Sequence, residues 1–371
     1  MKILQLGKFY PVRGGVEKVM YDLTSGLSAR GVDCDMMCVG SEGEEGVIRL
    51  NPHAELICCH NLVKVAATMI SPALVRELSR RCRNYDIVHI HHPDPMACLA
   101  LFCSGYKGKV VLHWHSDILK QKHLLKMYLP LQKWLIKRAD VIVGTTPVYL
   151  EGSPYLTGVQ HKTHVMPIGI RPVGCDAEAV RKVRDRYPGK KIVFSLGRLI
   201  EYKGYGTLIE AAEYLDDSYV VLIGGGGPLK HDLEKRIADA GLSDRVKLLG
   251  YVADDDVPAM YHACDVFCLS SVQKTEAFGI VQIEAMSCGK PLVATRIPDS
   301  GVAWVNKDGY SGINVAPSDP EAMASAIKTL MADTQVYAMF SRNSRARFNE
   351  MFTEEKMIDN CLGLYERLLC Y

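Results

Sequence analysis

Lys191-Ile192-Val193-Phe194-Ser195-Leu196-Gly197-Arg198, continuing into Leu199-Ile200-Glu201-Tyr202-Lys203-Gly204, is the stretch that decides the fold. Residues 191–196 form a short apolar run with β-branched and aromatic side chains, closed by Gly197, and read as a buried strand. A helix over 204–214 and a strand over 219–223 follow. The rhythm continues with helices at 228–240, 258–264 and 279–286 and strands at 246–249, 266–269 and 291–294. Strands that alternate with helices in this way predict a parallel sheet covered on both faces.

The same rhythm has already run once upstream. Strands are expected at 2–6, 33–39, 87–90, 110–113 and 141–144, with helical stretches at 16–29 and 74–83. Met166-Pro167-Ile168-Gly169-Ile170-Arg171-Pro172 interrupts the pattern with two prolines and a glycine and reads as a hinge. A chain of 371 residues accommodates two domains of about 100–200 residues each. The expectation is α/β: two doubly wound, Rossmann-like domains with a cleft between them, spanning 1–170 and 171–353. Residues 354–371 form a final amphipathic helix with an apolar stripe of Met357, Ile358, Cys361, Leu362, Tyr365 and Leu368. Open α/β sheets collect ligands at the carboxyl ends of their strands, so functional residues are sought there.

Composition narrows the classes. Hydrophobic residues make up 48% and charged residues 23%, which excludes a disordered chain. The 44 basic and 42 acidic residues nearly balance, and no nucleic-acid-reading motif is present. Thirteen cysteines carry no CxxC pair or zinc spacing, and the odd number suits a reducing cytoplasm. The first residues read as a strand, not a signal peptide, and no apolar run approaches the roughly 20 residues that span a bilayer. A soluble or membrane-peripheral enzyme is expected.

Several strand ends carry chemistry. Gly14-Gly15-Val16-Glu17 opens a helix, where backbone amides favour an anion, although an ordinary turn explains it equally well. His113-Trp114-His115-Ser116-Asp117 ends a strand with polar groups suited to sugar hydroxyls. His89, His91 and His92 at another strand end are expected to shape the cleft. No carboxylate or cysteine completes a zinc site there. Arg198 and Lys203 could converge on one anion, such as a diphosphate, or be solvated surface cations. Gly224-Gly225-Gly226-Gly227-Pro228 fits close approach of a nucleotide or a tight turn, and lacks the Gly-Lys-Ser/Thr of an ATPase loop.

The most specific segment is Glu276-Ala277-Phe278-Gly279-Ile280-Val281-Gln282-Ile283-Glu284-Ala285-Met286. Glu276 precedes a helix, Gly279 exposes its first amides, and Glu284 projects from it, able to accept from a vicinal diol such as ribose. Two carboxylates also fit the acid/base pair of a hydrolase. Asp254, Asp255 and Asp256 contain an Asp-x-Asp pattern, but precede a helix that they could cap. Residues 118–139 hold Lys120, Lys122, Lys126, Lys133, Lys137 and Arg138 with no acidic residue, interleaved with Leu124, Leu125, Tyr128, Leu131, Trp134, Leu135 and Ile136. With Arg76, Arg80, Arg81 and Arg83, these basic helices suit an anionic membrane surface or a solvated face.

In this order the segments resemble the family-4 retaining glycosyltransferases of the GT-B fold, along essentially the whole chain, and in particular bacterial enzymes of O-antigen and capsule synthesis. Gly14-Gly15-Val16-Glu17 resembles the family's Gly-Gly-x-Glu loop, Gly197-Arg198 with Lys203-Gly204 its diphosphate-binding pair, and Glu276 to Glu284 its signature of two glutamates separated by seven residues. The resemblance implies that Arg198 and Lys203 neutralise the donor diphosphate, Glu284 binds ribose and Glu276 the donor sugar. Phe278, Gly279 and Ile280 would present backbone amides, Gly225 and Val252 would line the nucleotide, and Gly14 and Gly15 would face the diphosphate. His115 would act near donor sugar and acceptor, and the last helix would return to the N-terminal domain.

The implied reaction is metal-independent transfer, with retention and without a cofactor, from a nucleoside-diphosphate sugar. UDP-N-acetylhexosamine (GalNAc or GlcNAc) is expected first and GDP-mannose next. The acceptor would be a saccharide on undecaprenyl diphosphate at the cytoplasmic face of the inner membrane, with no nucleic-acid partner. A GT-B epimerase or hydrolase, or a non-catalytic nucleotide-sugar-binding membrane protein, would carry many of the same features.

Overall fold

The computed structural model describes every residue except Arg13, Glu42, Ala66, Ala67, residues 119–121 and Tyr371, and describes no side chain at Val65, Thr68, Lys122, His123 or Leu124. The described residues divide into two compact units, Met1–Ile168 with Glu354–Tyr371, and Gly169–Thr353.

The first unit is built on β1 (Lys2–Tyr10), β2 (Asp33–Gly40), β3 (Gly46–Asn51), β4 (Ala54–Cys59), a small hairpin β5 (Val63–Val65) and β6 (Thr68–Ile70), then β7 (Ile87–His92), β8 (Lys109–Trp114), β9 (Val141–Gly144) and β10 (Thr163–Val165). Its main sheet has the order β10-β9-β8-β7-β1-β2-β4-β3. All its pairings are parallel except that of β3 with β4, so the all-parallel expectation fails at one edge. β3 is largely exposed, and an edge strand reached by a tight turn needs no crossover helix. β1 runs past its expected end at Leu6, because an irregularity between Leu6 and Phe9 carries it on to pair Tyr10 with Gly40.

The helices of this unit are α1 (Gly15–Ala29), α2 (Pro72–Arg81), α3 (Pro95–Ser104), α4 (Lys122–Arg138) and α5 (Pro147–Glu151). Three of them start on the same device. Ser71, Asp94 and Thr146 cap α2, α3 and α5 by accepting from the amides of Leu74, Ala97 and Tyr149, each with a proline in the first turn.

The second unit comprises α6 (Ala177–Asp185), β11 (Lys191–Leu196), α7 (Tyr205–Ala211), β12 (Tyr219–Gly224), α8 (Lys230–Asp239), β13 (Val246–Gly250), α9 (Val257–Ala263), β14 (Val266–Leu269), α10 (Ile280–Ser287), β15 (Leu292–Thr295), α11 (Val302–Val305), β16 (Gly312–Val315), α12 (Pro320–Leu330) and α13 (Thr334–Met351). Its sheet is parallel throughout in the order β13-β12-β11-β14-β15-β16. Strands buried on both faces explain their continuous apolar runs. Phe194, Tyr261 and Phe267 meet at ring centroid distances of 5.5, 5.9 and 5.5 Å in the core beneath β11 and β14.

The last helix, α14 (Glu354–Cys370), lies in the first unit against α1. It buries Met357, Ile358, Cys361, Leu364 and Tyr365. Leu364 takes the place expected for Leu362 and Leu368, which stay partly exposed. Among the described residues no helix is long and apolar enough to cross a membrane.

Candidate functional site

Strand order reverses between β11 and β14 in the second unit. A doubly wound sheet opens a crevice at such a point, where successive crossover connections run in opposite directions. The loops that follow these two strands are laced together. Val272 donates its amide to the Tyr202 carbonyl at 2.8 Å, and Ser270 Oγ donates to the Lys203 carbonyl at 2.9 Å. At this junction Lys203 Nζ lies 2.5 Å from Glu276 Oε2, with both side chains 11% exposed. Ser271 Oγ donates to the same carboxylate oxygen at 2.9 Å. Arg198 is exposed and makes no ion pair with the described residues. The family resemblance implies that Lys203 and Glu276 meet different parts of a ligand; the structure joins them as one charge-paired unit and leaves Arg198 exposed.

The glycine-rich turn after β12 is fixed against the neighbouring loop. Leu199 donates its amide to the Gly226 carbonyl at 2.9 Å, and Gly225 donates to the Gly250 carbonyl at 2.7 Å. A Cβ on Gly225 (φ +134°) would stand 1.9 Å from the Gly197 carbonyl oxygen. Backbone crossing backbone therefore requires glycine at 225 before any ligand is considered. Space is open around Gly226. Val252, half-buried just beyond β13, lies against Gly224.

Gly279 caps α10 in the left-handed region at φ +76°, where a side chain would strain the backbone. Phe278 is buried with its ring edge-on to Phe352 at 5.9 Å, so its side chain belongs to the core and only its backbone can serve a ligand. Ile280 starts the helix, whose first amides have no partner within the helix. One turn further along α10, Glu284 Oε2 accepts from the Tyr261 hydroxyl at 2.6 Å. Tyr261 is fully buried, and burial together with the Glu284 carboxylate pushes its hydroxyl well above the ordinary range. Nothing in the local sequence distinguishes Tyr261 from the apolar residues of α9. Asp254, Asp255 and Asp256 are exposed, and Asp256 stands at the start of α9 without a side-chain hydrogen bond, so the expected capping contact is not formed.

In the first unit Gly14 occupies the start of α1, Gly15 is exposed, and the buried Glu17 carboxylate folds back over Gly14. The order reversal here falls between β1 and β7, and histidines line its β7 side. His89 and His91 alternate on one face of β7, His91 pairs in register with His113 on β8, and His115 follows. Their rings stack: His89–His91 at 4.8 Å, His91–His115 at 5.2 Å and His113–His115 at 3.8 Å. On the other face His92 stacks on Trp114 at 3.8 Å, whose Nε1 donates to Asp117 Oδ1 at 2.9 Å. Ser153 Oγ donates to the same oxygen at 2.7 Å. His89, His91 and His92 are fully buried, so the expectation that they shape a cleft fails; they are interior residues.

Burial holds these rings neutral. It lowers His92 and His113 to about 3, and moves His89, His91 and His115 well below the ordinary histidine range; crowding by the other histidines of the stack adds to the shift in all three, and Lys8 adds to it in His91 and His115. His89, His91 and His113 have ligand-capable nitrogens within 4.8 Å of one another. A metal needs in-plane lone pairs that converge at about 2.0–2.1 Å. The rings of His89 lie only 16° and 19° from the planes of His91 and His113, so their lone pairs run side by side.

The basic region of the sequence falls on α2 and α4. Lys120, and the side chains of Lys122 and Leu124, lie outside the described residues. Arg80 and Arg81 are paired with Glu77 at 3.0 Å, which reduces the charge of that cluster. Lys126, Lys133 and Lys137 are exposed.

Two Rossmann-like units with these loops define a glycosyltransferase of the GT-B fold. Residues 13–172 match the model for Glycosyltransferase Family 4, and residues 176–347 that for Glycosyl transferases group 1. The chain is 32% identical over 373 residues to the O-antigen chain mannosyltransferase C of Escherichia coli, covering 100% of this chain and 99% of that one. It is 30% identical over 358 residues to the D-rhamnosyltransferase WbpZ of Pseudomonas aeruginosa, covering 95% and 92%. Among solved structures, Anabaena HepE in complex with UDP superposes with a TM-score of 0.81 at 22% identity, covering 99% of this chain and 100% of that one. The chain belongs to the family-4 glycosyltransferases.

Two measurements check this geometry. Lys203→Met or Glu276→Gln alone leaves a nearly buried partner unmatched, and each is expected to cost about 3 kcal/mol in urea unfolding. The double variant should recover part of that loss; simple additivity would show that the pair is not coupled. The neutral histidines have folded values below the unfolded value of about 6.5, so the unfolded chain binds more protons as pH falls through that value. Their contribution to stability is complete above about pH 6.5 and is lost toward their folded values. The urea midpoint should therefore fall between about pH 7.5 and about pH 5, and His113→Asn should flatten that fall; an unchanged slope contradicts the assignment.

Proposed function

We propose that this glycosyltransferase moves a sugar, with retained anomeric configuration and without a metal, from a nucleoside-diphosphate donor to a saccharide on an undecaprenyl diphosphate carrier, in the assembly of O-antigen or related lipopolysaccharide. The observation that carries the reading is the Lys203–Glu276 pair at the reversal of strand order, with the exposed cation Arg198 on the same loop as Lys203. A diphosphate displaces part of the Lys203–Glu276 contact, taking the ammonium for itself and freeing Glu276 for a sugar hydroxyl. Glu284, steadied by Tyr261, accepts from the ribose. The backbone at Phe278, Gly279 and Ile280 donates to the donor, and Gly225 and Val252 border its nucleotide. By the family resemblance, Gly14 and Gly15 are assigned to the diphosphate and His115 to the sugar and acceptor.

In the reaction the bond from the anomeric carbon to the diphosphate oxygen breaks, and a bond to the acceptor oxygen forms on the same face. The acceptor proton passes to the departing phosphate oxygen, and Arg198 and Lys203 stabilise the charge that develops there. The names of the full-length relatives, a mannosyltransferase and a D-rhamnosyltransferase, favour a manno-configured sugar, which moves GDP-mannose ahead of the UDP-N-acetylhexosamines expected from sequence.

Support for membrane association comes from α3 and α4. Lys126, Lys133 and Lys137 share one helical face, and Met127 (81% exposed) and Phe102 (51% exposed) stand near it, with Phe102 edge-on to Trp134 at 5.0 Å. Such a surface would hold the enzyme peripherally on the cytoplasmic face of the inner membrane, where the carrier lies.

Incubation with a panel of nucleotide sugars and a polyprenyl-diphosphate saccharide should give acceptor-dependent product, with GDP-mannose used best and activity kept in excess EDTA. Arg198→Ala and Lys203→Ala should each lower turnover at least ~10²-fold. Free sugar formed without acceptor would replace transfer by hydrolysis, and full activity in both variants would remove the donor assignment. In sedimentation with phosphatidylglycerol vesicles the chain should bind, and the triple variant Lys126→Gln, Lys133→Gln, Lys137→Gln should weaken partition by about two orders of magnitude, at about 1 kcal/mol per lysine. Equal binding to neutral vesicles would count against an electrostatic surface.

A further inference from the structure

A single chain of hydrogen bonds runs through the histidine stack and ends at His115. Gln5 Nε2 donates to the Tyr365 hydroxyl at 2.9 Å, and Gln5 Oε1 lies 2.8 Å from His91 Nε2. His91 Nδ1 lies 2.9 Å from His115 Nε2. Gln5, His91 and Tyr365 are fully buried and His115 is 4% exposed, so these contacts are not exchanged with bulk water. Burial also keeps both imidazoles neutral.

Neutral rings make the proton positions deducible. An amide oxygen only accepts, so His91 carries its one proton on Nε2. His91 Nδ1 is then an acceptor, and the nitrogen facing it, His115 Nε2, must be the donor. His115 has thereby used its only proton, and its Nδ1 is a bare lone pair. That Nδ1 is buried and makes no hydrogen bond with the described residues. The orientation of Gln5 starts the sequence, and Tyr365 holds it: the hydroxyl accepts from Gln5 and pairs with His89 Nδ1 at 2.5 Å. A residue of α14 thus takes part in setting a proton on the loop after β8.

We infer that Gln5, held by Tyr365 and acting through His91, fixes the tautomer of His115 with its buried Nδ1 bare, so that this atom is an acceptor for a hydroxyl that substrate binding brings against it. The inference rests on the proposed role of His115 at the donor sugar and acceptor. A bare Nδ1 accepts the hydroxyl proton and leaves the oxygen lone pairs free for other donors, whereas an Nδ1–H would occupy one of those lone pairs. Gln5, His91 and Tyr365 are positioning residues: they act on His115, not on substrate.

Nitrogen NMR of the full chain labelled with ¹⁵N-histidine distinguishes a bare ring nitrogen from N–H, and the spectrum of His115→Gln assigns the His115 signals. The expected result is a neutral His115 with its proton on Nε2. Gln5→Leu should release this preference and lower kcat at least about tenfold with donor KM unchanged. Tyr365→Phe removes one hydroxyl only and serves as the second variant should Gln5→Leu fail to fold; it should admit the other tautomer. A wild-type His115 protonated on Nδ1, or a tautomer unchanged in folded Gln5→Leu and Tyr365→Phe, overturns the inference. The spectrum needs no activity, so a chain inactive with every nucleotide sugar would remove the transferase reading while leaving the tautomer assignment standing.

Discussion

The reversal of strand order between β11 and β14 governs the second unit. Parallel strands require crossovers, crossovers take one hand, and a sheet that grows outward in both directions from its middle must place its helices on opposite faces. The loops leaving the two central strands then part, and the gap between them cannot be filled by a helix from either side. Lys203 comes from one of these loops and Glu276 from the other. Their contact ties together the loops that follow the paired strands β11 and β14, and the bonds of Val272 to Tyr202 and Ser270 to Lys203 reinforce the tie. The separation of the loops makes the site available, and the ion pair keeps its walls in register.

This constraint explains which features were legible in the sequence. Five of the six parallel strands of the second unit stand close to their expected positions because both faces are covered, so an apolar run marks each one; β16, with Gly312 and Asn314 in its four residues, carries no such run and was not expected. The pairs Ser71-Pro72, Asp94-Pro95 and Thr146-Pro147 carried helix-start signals that were equally local, and weighing them would have located α3 and α5. The edge strand β3 was not legible, since an exposed strand lacks that apolar run, and β4, though buried, was missed with it. Glu276, Gly279 and Glu284 were identified by local pattern. Tyr261 was not, because its value lies in a hydroxyl that meets Glu284 from another helix, 23 positions away in sequence. The join of Lys203 to Glu276, 73 positions apart, was hidden for the same reason.

The two units meet the cost of buried polarity in opposite ways. In the second, a cation and a carboxylate leave water together and stabilise one another, and their desolvation is offset because each satisfies the other. In the first, the histidines leave water as neutral rings and avoid the larger penalty of a buried charge. The hydrogen bonds among them still leave His89 Nε2, both nitrogens of His113 and Nδ1 of His115 without a partner among the described residues. An unsatisfied buried polar atom costs about 1–3 kcal/mol, and leucine or valine at any of these positions would pack between β7 and β8 without that loss. Stability alone therefore does not account for imidazoles here. Their arrangement is economical only if a proton position is what it maintains, and the one ring of the stack that stands beyond the end of its strand, where ligands of such sheets bind, is His115.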